Sequence, residues 1–354
     1  MVHKYSRRFP TRALVASGEL TTEISGLPYH GINFRVHGTI TSSGGITKNP
    51  YGAFELIDKL DIALGGEEIM HFRGYALQAL CEMLQGGQMN ELVAAATGNP
   101  YRSSAHLDLT KLMPGARLYP QGDQKLEIRA KGSPAAVTTA LQGYGQLQTG
   151  FTCTLEASGQ SYGGVPSGAI WKPRFDFNDY PIDSSTTSEK VVKQFKEVTD
   201  IPGILLIPVD KATNGNNRHS DGHVSRLKVT LFRNGQSPVV LYDDPWATFR
   251  DETAKLFRLP YNATPAETSQ RQGTIFIPLI DAVPEARDRN NAMRMGPGDS
   301  IELDFDTASA VEAGITDLTL AANEDIVNTT WLGFTPTNAS AGEGARRGVN
   351  PRGR

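Results

Sequence analysis

From Ile32 onward the chain alternates. Ile32, Phe34, Val36 and Ile40 take even positions with mostly polar residues between them, the period of a strand with one buried face. Phe54, Leu56, Leu60, Ile62 and Leu64 continue the alternation, interrupted at Asp58. Gly65-Gly66 then gives a tight-turn signal, and Ile69, Met70 and Phe72 form a second apolar run, so the segment predicts a hairpin. The same order recurs 167 positions on: Leu227-Lys228-Val229-Thr230-Leu231, the turn Asn234-Gly235, and a run from Val239 to Tyr242. A helical stripe follows each hairpin. In the first it is Leu77, Leu80, Cys81 and Leu84; in the second it is Trp246, Phe249, Thr253 and Leu256. Asp244 is the expected N-cap of the second helix, with Pro245 as its first residue.

The remaining elements can be placed around these two marks. Residues 13–30 read as an extended arm, and Ser42 to Pro50 as a turn cluster. Leu92 to Ala96 fits either a helical turn or a loop. Strands are predicted at His106–Leu109, Leu126–Ile128, Phe151–Leu155 and Ile204–Val209. Trp171 to Tyr180 reads as the end of a first domain, and Ser184 to Ser188 as a linker. In Lys190 to Thr199, Val191, Phe195 and Val198 fit a helix, but position in the repeat favours a strand equivalent to Ile32–Ile40. Thr213 to Gly222 is a loop rich in Gly and Asn. Thr274–Ile277 matches Leu107 and Leu109, Gly298–Leu303 matches Gly122–Ile128, and Ile315–Leu320 matches Phe151–Leu155.

Two units of about 150 residues, each with roughly eight short strands and one helix, predict an all-β chain of two consecutive eight-stranded jelly rolls. In each, the short helix follows a hairpin. An immunoglobulin-like pair would need units nearer about 100 residues. The expected boundaries are a basic N-terminal arm over 1–30, a first roll over 31–180, a linker over 181–190, a second roll over 191–335 and a basic tail over 336–354.

Composition supports many turns and large uncharged surfaces, with 36 Gly, 21 Pro and 21% charged residues among 354. The two cysteines, Cys81 and Cys153, both lie on apolar patterns, which favours buried free thiols over a bridge. Charge is uneven. Lys4, Arg7, Arg8 and Arg12 give +4 in the first twelve residues. Arg346, Arg347, Arg352 and Arg354 against Glu343 give +3 in the last fourteen, so a net charge of −3 leaves −10 for the body. These ends read either as disordered solubilising tails or as arms meeting an anionic surface, nucleic acid or lipid headgroups. With Tyr5 and Phe9 the only aromatic residues there, sequence-specific nucleic-acid reading is disfavoured. Met1 to Pro10 is basic with no apolar core after it, so a secretory signal is not expected. No run reaches the roughly 20 apolar residues of a membrane-spanning helix.

Candidate chemistry is sparse. His219, Asp221 and His223 are spaced i, i+2, i+4 and on a strand would share a face, a weak metal candidate. The same residues equally suit a polar loop tip. Asp243-Asp244 and Glu67-Glu68 are adjacent, and strand neighbours point to opposite faces, so neither pair suits acid/base work. Glycosidase carboxylates, which come from separate strands, can be neither found nor excluded this way. A phosphate-binding loop, a Gly-x-Ser-x-Gly elbow and a His-Glu-x-x-His motif are all missing from the sequence. No cofactor is expected.

The repeat, carried by Leu56 to Gly66 and Val224 to Leu231, resembles the double jelly-roll major capsid proteins of tailless icosahedral viruses, the lineage of adenovirus and membrane-containing bacteriophages. The resemblance covers about residues 30–335. It implies a structural protein without catalytic turnover, forming pseudo-hexameric homotrimers that tile a virion shell after synthesis in the host cytoplasm. Its implied partners are neighbouring capsomers, with minor capsid or penton proteins as further candidates. The basic termini would face an internal membrane or genome. The alternatives are a glycan-acting hydrolase or lectin on the same scaffold, and a capsid-associated spike or vertex protein.

Overall fold

The computed structural model describes residues 4–25, 28–39, 53–85, 91–93, 100–120, 122–133, 152–162, 170–182, 188–210, 218–219, 224–259, 274–279, 292–307 and 325–337. In chain order the strands of the first half are β1 (Lys4–Arg8), β2 (Arg12–Val15), β3 (Glu19–Ser25), β4 (Gly31–Thr39), β5 (Ile57–Leu64), β6 (Glu67–Phe72), β7 (Glu91–Val93), β8 (Pro100–Asp108), β9 (Lys125–Gly132) and β10 (Thr152–Tyr162). Helix α1 (Gly74–Gln85) follows β6. The second half holds β11 (Ile170–Ile182), β12 (Ser188–Gln194), β13 (Thr199–Asp210), β14 (Arg218–His219), β15 (Val224–Phe232), β16 (Val239–Pro245), β17 (Ile275–Pro278), β18 (Met293–Met295), β19 (Ser300–Thr307) and β20 (Asp325–Thr337). Helix α2 (Trp246–Phe257) follows β16.

Pairing sorts these into two copies of one sandwich. The first roll has a sheet ordered β1/β2-β10-β4-β8-β7, facing a second sheet ordered β3-β9-β5-β6. The second roll repeats both orders, as β11-β20-β13-β17 and as β12-β19-β15-β16. In β4, Ile32, Phe34 and Val36 are buried in the first core while Asn33, Arg35 and His37 stay partly exposed. The alternation read from sequence is therefore the alternation of burial.

Both hairpins carry a bulge in the same register. Ile62 pairs Met70 and Ala63 pairs Glu68, leaving Ile69 extra. Val229 pairs Tyr242 and Thr230 pairs Val240, leaving Leu241 extra. The tight turn at Gly65-Gly66 is made possible by φ values of 60° and 84°, which a residue with a Cβ adopts at a cost.

The two rolls share a seam. β6 meets β11 at the parallel bridge Met70–Phe175, so one continuous sheet runs from the first roll into the second. Alternate residues of β13 then serve different cores: Ile204 and Leu206 the second, Leu205, Ile207 and Val209 the first. Phe175 stands edge-on between Phe72 and Phe334, with centroids 5.7 and 5.2 Å away.

The pairing corrects several expectations. β11 pairs β20 over its full length, Ile170↔Thr337 to Ile182↔Asp325. The segment expected to close the first domain thus opens the second; Ser184 to Thr187 of the expected linker lie outside the described residues, and Ser188 begins β12. Within the expected arm, residues 4–25 form three strands, with β1 laid antiparallel on β10 from Lys4↔Tyr162 to Arg8↔Ser158. β12 is a strand, but its pairing with β19 makes it the equivalent of β3, which pairs β9, and not of β4. By the same logic β20, not Ile315–Leu320, is the equivalent of β10; Ile315–Leu320 lies outside the described residues. Within Leu92–Ala96, the described residues belong to the short strand β7. Asp244 belongs to β16, opposite Leu227, and the α2 N-cap is Pro245 without a side-chain cap bond. Leu256 turns outward rather than joining the stripe.

Candidate functional site

The densest ionic chemistry among the described residues sits where the β5–β6 hairpin meets the second roll. The bulge at Ile69 puts Glu68 and His71 on one face, and His71 pairs across to Asp61. His71 Nδ1 lies 2.8 Å from Asp61 Oδ1 and 3.9 Å from Glu68 Oε2. These three side chains are close enough to share an ion, but both carboxylates already have cations. Lys59 Nζ is 2.8 Å from Asp61 and Arg129 Nη1 is 2.9 Å from Glu68. Burial works against the Asp61 charge, yet hydrogen bonds from His71 and Lys59 outweigh it and hold the carboxyl below its ordinary range. The group is a compensated network, and the doubling of carboxylate by cation argues against a resident metal.

Across the seam the partners are opposite in sign. Glu67 accepts from Lys172 and Arg174 of β11, each at 2.5 Å. The Lys172 hydrogen bond is the main reason its carboxyl is held below the usual range. Arg73, just before α1, bonds Asp58 and Asp179 and stacks over the Phe177 ring at 5.1 Å. Lys193 of β12 reaches Asp176. The Glu67 contacts and Arg73–Asp179 tie the two rolls together, while Lys193–Asp176 joins β12 to β11 within the second roll.

The expected anion-facing residues separate. Lys4, Arg7 and Arg8 lie in β1 and Arg12 in β2. Arg8 bonds Glu156 at 2.6 Å and Thr11 at 3.1 Å, while Arg7 and Arg12 are exposed. Arg346, Arg347, Arg352 and Arg354 lie outside the described residues, as do Asp221 and His223; His219 is in β14, paired with Val209. Glu67 and Glu68 bond different cations and do not act together. Cys81 and Cys153 are buried and unbridged. Burial pushes both thiols up, Cys153 to about 12. The Asp61–Glu68–His71 grouping escaped the sequence reading because a plain strand would put residues 68 and 71 on opposite faces. The adjacent apolar pair Ile69-Met70, breaking the alternation, is the signal that could have found it.

No protein-family model and no curated protein matches the sequence. Solved structures do match. The MCP of STIV, the Sulfolobus turreted icosahedral virus, superposes over 94% of this chain and 97% of its own, with TM-score 0.64 and 14% identity. PBCV-1 VP54 covers 94% of both chains with TM-score 0.57 and 14% identity. The major capsid protein P2 of bacteriophage PM2 covers 96% of this chain and 99% of its own, with TM-score 0.50 and 12% identity.

The chain has the double jelly-roll fold. Both rolls and the seam between them take part in the match, because coverage is nearly complete in each direction. At such low identity no side chain of the ionic seam can be carried from one double jelly roll to another. The residues above stand on this chain's own geometry.

Proposed function

We propose that this double jelly roll is a structural major capsid protein, without catalytic turnover, that tiles an icosahedral viral shell. The observation that carries the reading is the near end-to-end superposition on the STIV MCP, both rolls together, at 94% and 97% coverage. A single roll could serve many functions on a common scaffold; two rolls locked by an ionic and aromatic seam make a rigid tile. In this reading the chain forms homotrimers whose six rolls outline a pseudo-hexagon, and these pack beside neighbouring capsomers and minor capsid or penton proteins in the virion. The basic tail, Arg346 to Arg354, faces an internal membrane or genome, joined on the N-terminal side mainly by Arg7 and Arg12, since Arg8 is already bonded to Glu156.

Light scattering and negative-stain electron microscopy of the purified full chain test this. Trimers with a hexagonal outline are expected. A protein that stays monomeric at every concentration and salt tried would overturn the reading. For the tail, binding to anionic liposomes and to DNA should fall when residues 341–354 are removed, and unchanged binding would remove that assignment.

A further inference from the structure

The two sheets of the second roll part along one edge. β11 is the roll's outermost strand in one sheet and β12 in the other, and residues of both line a cleft of about 430 Å³. β6 of the first roll supplies a further wall, through Glu68, Ile69 and His71. At the equivalent edge of the first roll, between β1 and β3, the intervening chain fills the gap. There Phe9 and Leu14 are each 1% exposed, and the Thr22 hydroxyl of β3 donates to the Pro10 carbonyl at 2.8 Å.

The cleft is apolar inside and ionic between its edges. Phe195, Ile201 and Trp331, all of the second core, line it. Asp176 pairs Trp331 and Arg174 pairs Gly333, so Arg174 and Asp176 share the face of the indole. From the β12 side, Lys193 bonds Asp176 at 2.5 Å and Glu197 lies 3.7 Å from Arg174. The polar groups left over are donors. Glu68, Asp176 and Glu197 each face a cation, in Arg129, Lys193 and Arg174. The Trp331 Nε1–H, on a side chain 2% exposed, and the Arg174 Nε–H have no acceptor within hydrogen-bond reach. Lys196, also of the lining, is exposed and forms no ion pair with any described residue. Buried donors without partners are costly, so these mark a place for an acceptor.

We propose that this cleft binds a small amphiphile, an apolar chain or ring carrying one carboxylate, whose oxygens accept from Trp331 Nε1 and Arg174 Nε. A carboxylate offers two acceptor oxygens and no donor, which matches what the cleft lacks. Lys196 supplies the opposite charge, and Phe195 and Ile201 cover the apolar body. The site lies within one chain and is independent of the shell reading.

Isothermal titration calorimetry of the full chain with decanoate, decanol and acetate tests this. Decanoate should bind saturably at one site per chain. Decanol, with the same body and no charge, should bind at least about tenfold more weakly, and acetate, which lacks the body, should give no measurable heat. Trp331→Phe keeps an aromatic ring but removes the donor; it should weaken decanoate about tenfold and decanol far less. Lys196→Gln, at an exposed site, should leave folding intact and cost up to about fivefold, less at high salt. If Trp331→Phe does not fold, Lys196→Gln and the three probes still decide. The absence of saturable decanoate binding, or binding that the variants leave unchanged, would overturn the site. Equal binding of decanol and decanoate would overturn the carboxylate assignment.

Discussion

Replacing Phe175 with alanine should uncouple the two rolls. Phe175 is 1% exposed and touches both the edge strand of the first roll, through Phe72, and the strand that closes the second, through Phe334. Truncating a buried Phe costs roughly 3–5 kcal/mol. The two edge-to-face partners, at interplanar angles of 83° and 84°, favour the upper half of that range, since each such pair is worth about 0.5–1.5 kcal/mol beyond area. That is a large share of a typical total stability of about 5–15 kcal/mol, and it falls on the seam. A core truncation of similar size, Phe305→Ala, falls inside the second roll alone and should lower stability without separating the transitions. The assay is urea unfolding in a Trp171→Phe background, which leaves Trp246 and Trp331, both in the second core, as reporters. Fluorescence and circular dichroism should coincide in the background protein and diverge after Phe175→Ala. Coincident curves with a loss below about 1 kcal/mol would refute the view that this ring couples the rolls.

Three further outcomes follow from single sites. Gly74→Ala should destabilise by about 1–3 kcal/mol or more, although alanine is the better helix former by about 1 kcal/mol. Its Cβ would lie 2.0 Å from the Phe54 carbonyl oxygen and 2.6 Å from that of Ile57; a gain in melting temperature would contradict this. Asp61 is held below its unfolded value of about 3.9 by His71 and Lys59 against the cost of burial. Its contribution is therefore complete above that value and lost as pH falls through the folded one. The stability gap between wild type and Asp61→Asn should shrink as pH is lowered from neutral to about 3, and parallel pH curves would sink the assignment. Cys81 and Cys153, buried with raised pKa values, should resist a thiol reagent in the native protein and both react in denaturant; fast native labelling would show the cores open.

What the sequence disclosed depended on whether a strand has one buried face or two. The β5–β6 and β15–β16 hairpins were legible because turn glycines and alternation agree, and pairing confirms their matched register. β1 was not legible, because Lys4, Arg7 and Arg8 carry no apolar period; it is held by main-chain pairing to β10 rather than by burial of its own side chains. β11 alternates Trp171, Pro173, Phe175 and Phe177, but nothing local says which roll a strand joins. Only its long-range pairing with β20 decides that. The ionic group at Asp61 needed the bulge, and a bulge is a property of two paired strands rather than of either alone.

The sharpest information lies in how the two copies differ. β4 and β13 occupy the same place in their sheets, yet their outward residues are Asn33, Arg35 and His37 in one and Leu205, Ile207 and Val209 in the other. An outward face made of aliphatic residues must be covered as soon as the chain folds, so it belongs to a contact within the chain. An outward face of Asn, Arg and His is solvated on its own and needs no such cover. The duplicated fold thus repeats one geometry with two chemistries. Apolar chemistry marks the junction between the rolls, and polar chemistry marks the equivalent face of the first roll.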